Sequence, residues 1–244
     1  MLPRNNGETA SLKVLIMRWV HDAFVQPFGY FKIAGAVLAC VLIPLCVAYV
    51  LSSDPTRLHA EDGPIEWLSF GCWAAGVVMC FLAFSRHSGR SDRLLFWWFF
   101  LICALAAARE IDEQVLLNPQ YLGQWGVHYK TRWILSPEVD IRLKLFWFSV
   151  FLMLGGIIIS PLIVLRKPIL RLIRSGDVAA GLFLLSAIGL ATGFVFDDIL
   201  RKTTFLGGDL RQAIEEIAEL LGAAYFLIGL CSLLWKPPSE RNVS

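Results

Sequence analysis

Charged side chains are scarce in this sequence of 244 residues. Asp, Glu, Lys and Arg make up 17% of it, hydrophobic residues make up 57%, and the mean hydropathy is +0.61. Soluble domains carry charge on about a quarter of their residues, so this composition excludes a soluble globular domain. The net charge is only +2. Because the sequence contains no basic soluble domain, we expect no nucleic-acid partner.

Motifs of familiar active sites are also missing. The sequence has no glycine-rich phosphate loop, no Gly-x-Ser-x-Gly and no His-Glu-x-x-His. It lacks the His-x-x-x-His pair that membrane zinc hydrolases of the alkaline-ceramidase and progestin-receptor-like group carry on a late helix. The six cysteines form no Cys-x-x-Cys pair and all fall within apolar runs, which favours packing over redox or metal chemistry.

Long apolar runs, by contrast, recur along the whole chain. Most approach the ~20 residues that a helix needs to cross a hydrocarbon core of about 30 Å. They are continuous and do not alternate between apolar and polar residues, which excludes a transmembrane β-barrel. The six runs are residues 33–51, 64–84, 94–108, 143–165, 178–199 and 213–235. They predict an all-α polytopic membrane protein with six transmembrane helices in one domain, 33–235, and Ser136-Pro137 predicts the start of the fourth helix.

The segments outside this domain are short. Residues 11–26 place several apolar side chains on one side, which predicts an in-plane amphipathic helix in an N-terminal segment, residues 1–32. A simple lead-in to the first span is the alternative. The connections "SRHSGRSDR" and "RKPILRLIR" are basic. The positive-inside rule therefore places these connections, the N-terminal segment and the tail at 236–244 in the cytoplasm.

Acidic residues gather at the opposite, outer ends of the predicted spans. They lead into the second span, close the third, end the fifth and open the sixth. The third and sixth runs fall about one turn short of a full span, before Glu110 and after Glu219. These carboxylates should lie at or just below the outer interface and face the bundle interior, because exposure to lipid costs on the order of 2–3 kcal/mol.

Helical spacing sharpens this expectation. Glu215 and Glu219 are four residues apart and share a helix face, so they repel unless a cation or a proton intervenes. We predict one outer acidic pocket with Arg109 as internal counter-charge. Its acids are Asp62, Glu66, Glu110, Asp112, Asp197, Glu216 and Glu219. The alternative is a set of helix-end ion pairs that anchors the spans, with Arg109 reaching an acid in its own turn.

Carboxylate ligands of this kind suit a divalent cation. Oxygen atoms alone favour Mg²⁺, Ca²⁺ or Mn²⁺, whereas His59 or His128 would admit Zn²⁺. The predicted metal ligands are Glu66, Glu110, Asp197 and Glu216.

Aromatic residues recur every four positions in "NPQYLGQWGVHYKTRW", which joins the third and fourth spans. This spacing predicts an outer aromatic loop, with Trp125, His128 and Tyr129 forming a lid over the pocket. The alternative is a belt of interfacial Tyr and Trp anchors.

The acidic motifs, in their order along the chain, resemble one family. "EDGPIEW", "AAREIDEQ", "LSPEVD", "FDDILRK" and "IEEIAELLGAAYFL" are similar to the span-end motifs of a family of uncharacterised bacterial multi-pass inner-membrane proteins: E-D-G…E-W, R-E-x-D and E-E-x-x-E-L-x-G. The likeness covers most of residues 61–230. It implies a place in the bacterial inner membrane and directs attention to the span-end acids, but it implies no reaction.

The sequence is therefore consistent with two classes of function. In the first, the outward-facing pocket binds a divalent cation or a lipid or sugar head group and acts on a lipid-linked substrate. In the second, the protein is a non-enzymatic subunit or assembly factor of a membrane-protein complex. Membrane lipids are partners in both. A proton-coupled transporter is less favoured because the inner half of the predicted bundle lacks a polar path.

Overall fold

The computed structural model describes residues 29–58, 63–86, 90–110, 137, 140–164, 166–196, 200 and 207–235. The N-terminal in-plane helix, the aromatic loop with its lid, and the C-terminal tail lie outside these residues. Their predicted structures therefore stay predictions.

The described part of the chain is helical and contains no strand. Its α-helices are α1 (Tyr30–Leu51), α2 (Pro64–Arg86), α3 (Arg90–Glu110), α4 (Ile141–Val164), α5 (Arg166–Arg174), α6 (Val178–Phe194) and α7 (Gly208–Trp235), and a 3-10 helix covers Pro55–Leu58. The six apolar runs coincide with α1, α2, α3, α4, α6 and α7. The chain is an all-α polytopic membrane protein, as the sequence predicts.

The helices differ in how much of a membrane they can cross. Four are long and apolar enough to span it, in α1, α2, α4 and α7, and α6 is a shorter apolar helix of 17 residues. Helix α3 has 21 residues, but charges occupy both of its ends, with Arg93 in the second turn and Arg109 and Glu110 in the last. The apolar part of α3 is thus short, which brings its terminal charges close to the hydrocarbon region.

Helix α7 lies at the centre of the bundle, with 56% of its span buried. One core joins it to α2 and α3 through Trp73, Phe99 and Phe226, whose rings pack in tilted and edge-on arrangements. A second core joins it to α1 and α6, where the Tyr225 hydroxyl donates a hydrogen bond of 3.2 Å to the Ala34 carbonyl. Burial on several faces explains why α7 is apolar around most of its circumference.

Small residues bring α6 and α7 into close contact. A Cβ built on Gly189 would lie 2.9 Å from the Ala218 carbonyl oxygen and 3.1 Å from the Gly222 Cα. Gly189 and Gly193 on α6, like Ala218 and Gly222 on α7, are four residues apart, which is the small-xxx-small spacing of packed membrane helices. The pair can approach this closely only because these positions carry little or no side chain.

Helix α4 lies at the edge of the bundle, and none of its span is buried. The Trp98 indole N–H of α3 donates a 3.0 Å hydrogen bond to the Ile158 carbonyl of α4. Pro161 cannot donate to the Ile157 carbonyl, and the Ser160 hydroxyl donates to that oxygen instead, at 3.4 Å. A side chain and a neighbouring helix thus supply hydrogen bonds around the proline.

The sequence prediction for the start of the fourth helix is wrong. The structure starts α4 at Ile141, so Pro137 precedes the helix and is not its first residue. The Asp140 carboxylate accepts a 2.7 Å hydrogen bond from the Arg142 N–H and satisfies a free donor of the first turn. An acceptor side chain immediately before the apolar run was a stronger start signal than the upstream proline.

Helix packing divides the bundle into two ends. We call the acidic end the one at which α2 and α7 begin and α1 and α3 finish, and the basic end the opposite one. Helix α5 lies at the basic end between α4 and α6. The sequence interpretation treated α5 only as a basic connection. Gly176, with a φ of 72°, and Asp177, which accepts from the Ala180 N–H at 3.2 Å, separate it from α6.

Candidate functional site

Three helices bring polar side chains together at the acidic end. Helix α2 contributes residues from its first two turns, α3 contributes its last two residues, and α7 contributes residues about two to three turns after its start. We call them the polar cluster: Glu66, Ser69, Arg109, Glu110, Glu216 and Glu219. Because α3 runs antiparallel to α2 and α7, charges placed at the end of α3 and the starts of the other two meet at one level.

An ion pair between α3 and α7 forms the centre of the polar cluster. The Arg109 guanidinium donates to the Glu219 carboxylate across 110 positions of sequence. The Glu219 side chain is 6% exposed, whereas that of Arg109 is 49% exposed. The arginine therefore reaches into the bundle with its charged end while part of its surface stays outside, and Glu219 relies on it for compensation.

A hydrogen bond links α2 to α3 beside this pair. The Ser69 hydroxyl donates to the Glu110 carboxylate at 3.2 Å, and Ser69 is 1% exposed. Together with the Arg109–Glu219 pair, this bond ties all three helices at the level of the carboxylates. Adjacent residues of α3 thus bind different neighbours, since Arg109 reaches α7 and Glu110 reaches α2.

The carboxylates of the polar cluster lie close enough to act on one another. Glu219 and Glu66 both repel the charge of Glu110, which Arg109 attracts. Glu219, Glu66, Glu215 and Glu110 all repel the charge of Glu216. Four carboxylates of the cluster (Glu66, Glu110, Glu216, Glu219) thus share one region with the guanidinium of Arg109. A proton or a further cation would reduce this repulsion.

Gly193 of α6 provides the space for Glu219. A Cβ on Gly193 would lie 2.6 Å from the Glu219 Cγ and 3.1 Å from its Oε1. Any larger residue at this position would displace the carboxylate from Arg109. The close α6–α7 contact therefore positions the buried half of the ion pair.

The predicted pocket residues fall into two groups. Glu66, Arg109, Glu110, Glu216 and Glu219 lie together in the polar cluster. The others lie outside the described residues, namely Asp62, Asp112, Asp197, His59 and the lid residues Trp125, His128 and Tyr129.

The predicted metal site stays a prediction. Among the described residues, no group of three or more His, Cys, Asp or Glu side chains is arranged to hold a metal ion. The predicted ligands Glu66, Glu110 and Glu216 lie in the polar cluster, and the fourth, Asp197, is outside the described part.

Two members of the site were missed by the sequence interpretation. Ser69 lies three residues after Glu66, so it shares a helix face with a predicted site residue. Gly193 forms the small-xxx-small pair with Gly189. Both spacings can be recognised in the sequence, but neither shows which carboxylate Ser69 or Gly193 contacts.

No family model, curated protein or solved structure matches this chain. The chemistry of the polar cluster is therefore argued from its own residues.

Proposed function

We propose that the polar cluster binds a ligand at the outer face of the membrane. The ligand is a divalent cation, or a lipid or sugar head group that presents a cation or hydroxyl groups. The observation that carries the proposal is the gathering of four carboxylates from three helices beside one guanidinium, which is itself paired with Glu219. A ligand cation would offset the repulsion between Glu110 and Glu216.

A ligand at this level is well placed to meet lipid substrates. The cluster lies at a helix-bundle end, where head groups meet the protein surface, and a bound cation polarises an ester, amide or phosphate oxygen. We extend the proposal to action on a lipid-linked substrate. Purified protein incubated with its native lipid extract should then alter a lipid species in a cation-dependent manner, as read by mass spectrometry.

Ligand-dependent stability tests the binding step. The melting temperature of the purified protein should rise with Mg²⁺, Ca²⁺, Mn²⁺ or Zn²⁺ and fall with chelator, by an amount equivalent to about 2.7 kcal/mol at 100 times the Kd. Glu110→Gln and Glu216→Gln should each reduce the response. Asp54→Asn is the matched control, because Asp54 is an acid at the same end that pairs with Arg57 outside the cluster.

Head groups are tested in the same assay. Phosphatidylethanolamine, whose primary ammonium can donate hydrogen bonds to carboxylates, should stabilise the wild-type protein more than phosphatidylcholine does, since its quaternary ammonium has no N–H, and Glu216→Gln should remove the difference. If neither cations nor head groups shift the melting temperature, the carboxylates serve as helix-end ion pairs and the proposal is wrong.

The outward orientation is a separate part of the proposal and has its own test. The basic connection at 85–93 should be cytoplasmic and residues 201–206 external. A cysteine introduced at Thr204 should react with an impermeant maleimide in intact cells, and one introduced at Ser88 should not, in a background lacking native cysteines. The reverse pattern would place the polar cluster in the cytoplasm.

A second candidate function is that of a non-enzymatic subunit or assembly factor. The observation in its favour is the position of α4, in which no side chain that the structure describes is buried and large apolar residues such as Phe148 and Met153 are exposed. A membrane-embedded partner could cover this helix. Photo-crosslinking from Phe148 in native membranes should then capture a discrete protein adduct, whereas crosslinks to lipid alone would contradict this function.

A further inference from the structure

Helix α5 combines features of a membrane-surface helix. It has nine residues, RKPILRLIR, and a length of about 14 Å at 1.5 Å per residue, so it cannot cross a bilayer. Only Leu165 separates it from the end of α4. A helix so close to the end of a span starts at the level where the hydrocarbon core meets the head groups.

The residue pattern of α5 separates charge from apolar surface. Arg166, Lys167, Arg171 and Arg174 recur at the spacing that collects them on one side, whereas Ile169, Leu172 and Ile173 collect on the other. Leu170, four residues from both Arg166 and Arg174, lies among the basic residues and is 51% exposed. At a membrane surface the apolar side enters the acyl boundary and the basic side meets the head groups.

Three of the four basic residues of α5 have no counter-charge among the residues that the structure describes. Arg166, Lys167 and Arg174 are all exposed, and none forms an ion pair or a hydrogen bond with another residue that the structure describes. Arg109 differs from these residues because its guanidinium pairs with a buried glutamate. Adjacent exposed cations repel, and an anionic surface removes that repulsion.

We propose that α5 binds anionic phospholipids of the leaflet at the basic end of the bundle. The phosphates of lipids such as phosphatidylglycerol contact Arg166, Lys167 and Arg174, and the apolar side that includes Ile173 faces the acyl chains. The positively charged end of the protein is thereby anchored to one leaflet, independently of any ligand at the polar cluster.

Lipid selectivity tests this proposal. Full-length protein is reconstituted in nanodiscs of phosphatidylcholine with 20 mol% phosphatidylglycerol, and the lipids retained after transfer to detergent are counted by native mass spectrometry. We expect enrichment of phosphatidylglycerol, and a loss of about 25-fold in its apparent affinity for Arg166→Gln/Lys167→Gln, since each basic residue contributes about fivefold. Arg57→Gln, an exposed arginine at the acidic end, is the matched control and should retain full enrichment.

Additional measurements test the proposal even if the double variant folds poorly. Enrichment on the wild-type protein should fall as NaCl is raised from 50 to 500 mM. Ile173→Gln should weaken retention while leaving the salt dependence intact. Inorganic phosphate at millimolar concentration should not displace the lipid. Equal retention of both lipids, an unchanged double variant or full displacement by inorganic phosphate would each overturn the proposal.

Discussion

The acidic and basic ends of the bundle carry their charges in different ways. At the acidic end, the buried Glu219 pairs with Arg109 from another helix, and the buried Ser69 donates to Glu110. At the basic end, Arg166 and Arg174 are exposed and have no partner in the described part of the chain.

This difference separates two uses of charge in one membrane protein. A carboxylate between helices must be compensated inside the protein, because neither lipid nor water reaches it. A basic side chain at the surface can reach head groups and solvent on its long stem. Substitutions at the acidic end should therefore change folding stability strongly, whereas those at the basic end should change lipid preference and leave stability nearly intact.

The largest effect is expected from removing the counter-charge of Glu219. Arg109→Gln leaves a buried carboxylate without its cation and should lower the free energy of unfolding by about 3 kcal/mol. Glu219→Gln should cost less, about 1 kcal/mol, because the half-exposed Arg109 can turn to water. Unfolding by sodium dodecyl sulfate in mixed micelles measures both.

The control for this prediction comes from the basic end. Arg174→Gln removes an exposed arginine and should stay within about 0.5 kcal/mol of the wild-type protein. If Arg174→Gln costs as much as Arg109→Gln, the two ends do not differ as argued.

The second prediction concerns the space beside Glu219. Gly193→Ala places a methyl group 2.6 Å from the Glu219 Cγ and should destabilise the protein by about 2 kcal/mol. Gly155→Ala in α4 is the matched control, since a Cβ there meets nothing within 4 Å. It should be neutral or stabilise the helix by up to about 1 kcal/mol. Comparable losses in the two variants would show that Gly193 acts through the helix backbone and not through Glu219.

The sequence was sufficient for the helices because each apolar run is a local signal. It was less informative about α5, whose nine residues mix basic and apolar types and resemble a connection unless their helical spacing is examined. The start of α4 was misplaced for a similar reason, since Pro137 drew attention away from Asp140.

The pairing within the polar cluster is beyond reach of a single sequence. Depth arguments placed Glu110 and Glu219 near one interface, but the alternative interpretation gave Arg109 an acid in its own turn. Its observed partner is 110 positions away on α7. Which carboxylate it meets depends on how α3 and α7 are rotated about their axes, and this rotation follows from contacts such as Gly193 against Glu219.

The third prediction compares buried serines from the two halves of the bundle. Ser69→Ala removes the donor to Glu110 and should cost about 1 kcal/mol. Ser232, near the basic end of α7, is 2% exposed, and its hydroxyl has no hydrogen-bond partner among the described residues. Ser232→Ala should therefore be neutral or slightly stabilising. The same unfolding assay measures both, and a larger loss for Ser232→Ala would contradict the view that the polar network is confined to the acidic end.

The smallest effect is expected at the exposed turn that follows α1, where acid and base meet in water. The Thr56 hydroxyl donates to the Asp54 carboxylate at 2.5 Å, and Arg57 pairs with the same carboxyl at 3.0 Å. These contacts hold the pKa of Asp54 below its ordinary value of 3.8. A lowered folded-state pKa adds stability above the unfolded-state value, and this contribution disappears as the pH falls through the folded value.

Wild-type protein should therefore melt slightly above Asp54→Asn at pH 7, and the difference should disappear as the pH falls through the lowered pKa of Asp54. Thr56→Val, which removes the leading cause of the shift, should give part of the same loss at pH 7. Solvent reaches the Asp54 and Arg57 side chains, which are 46% and 84% exposed, and this keeps the effect small, in contrast to the buried carboxylates at the same end. A difference that grows as the pH falls would mean that Asp54 is more stable protonated, and that the exposed acids of this end do not behave as simple ion pairs.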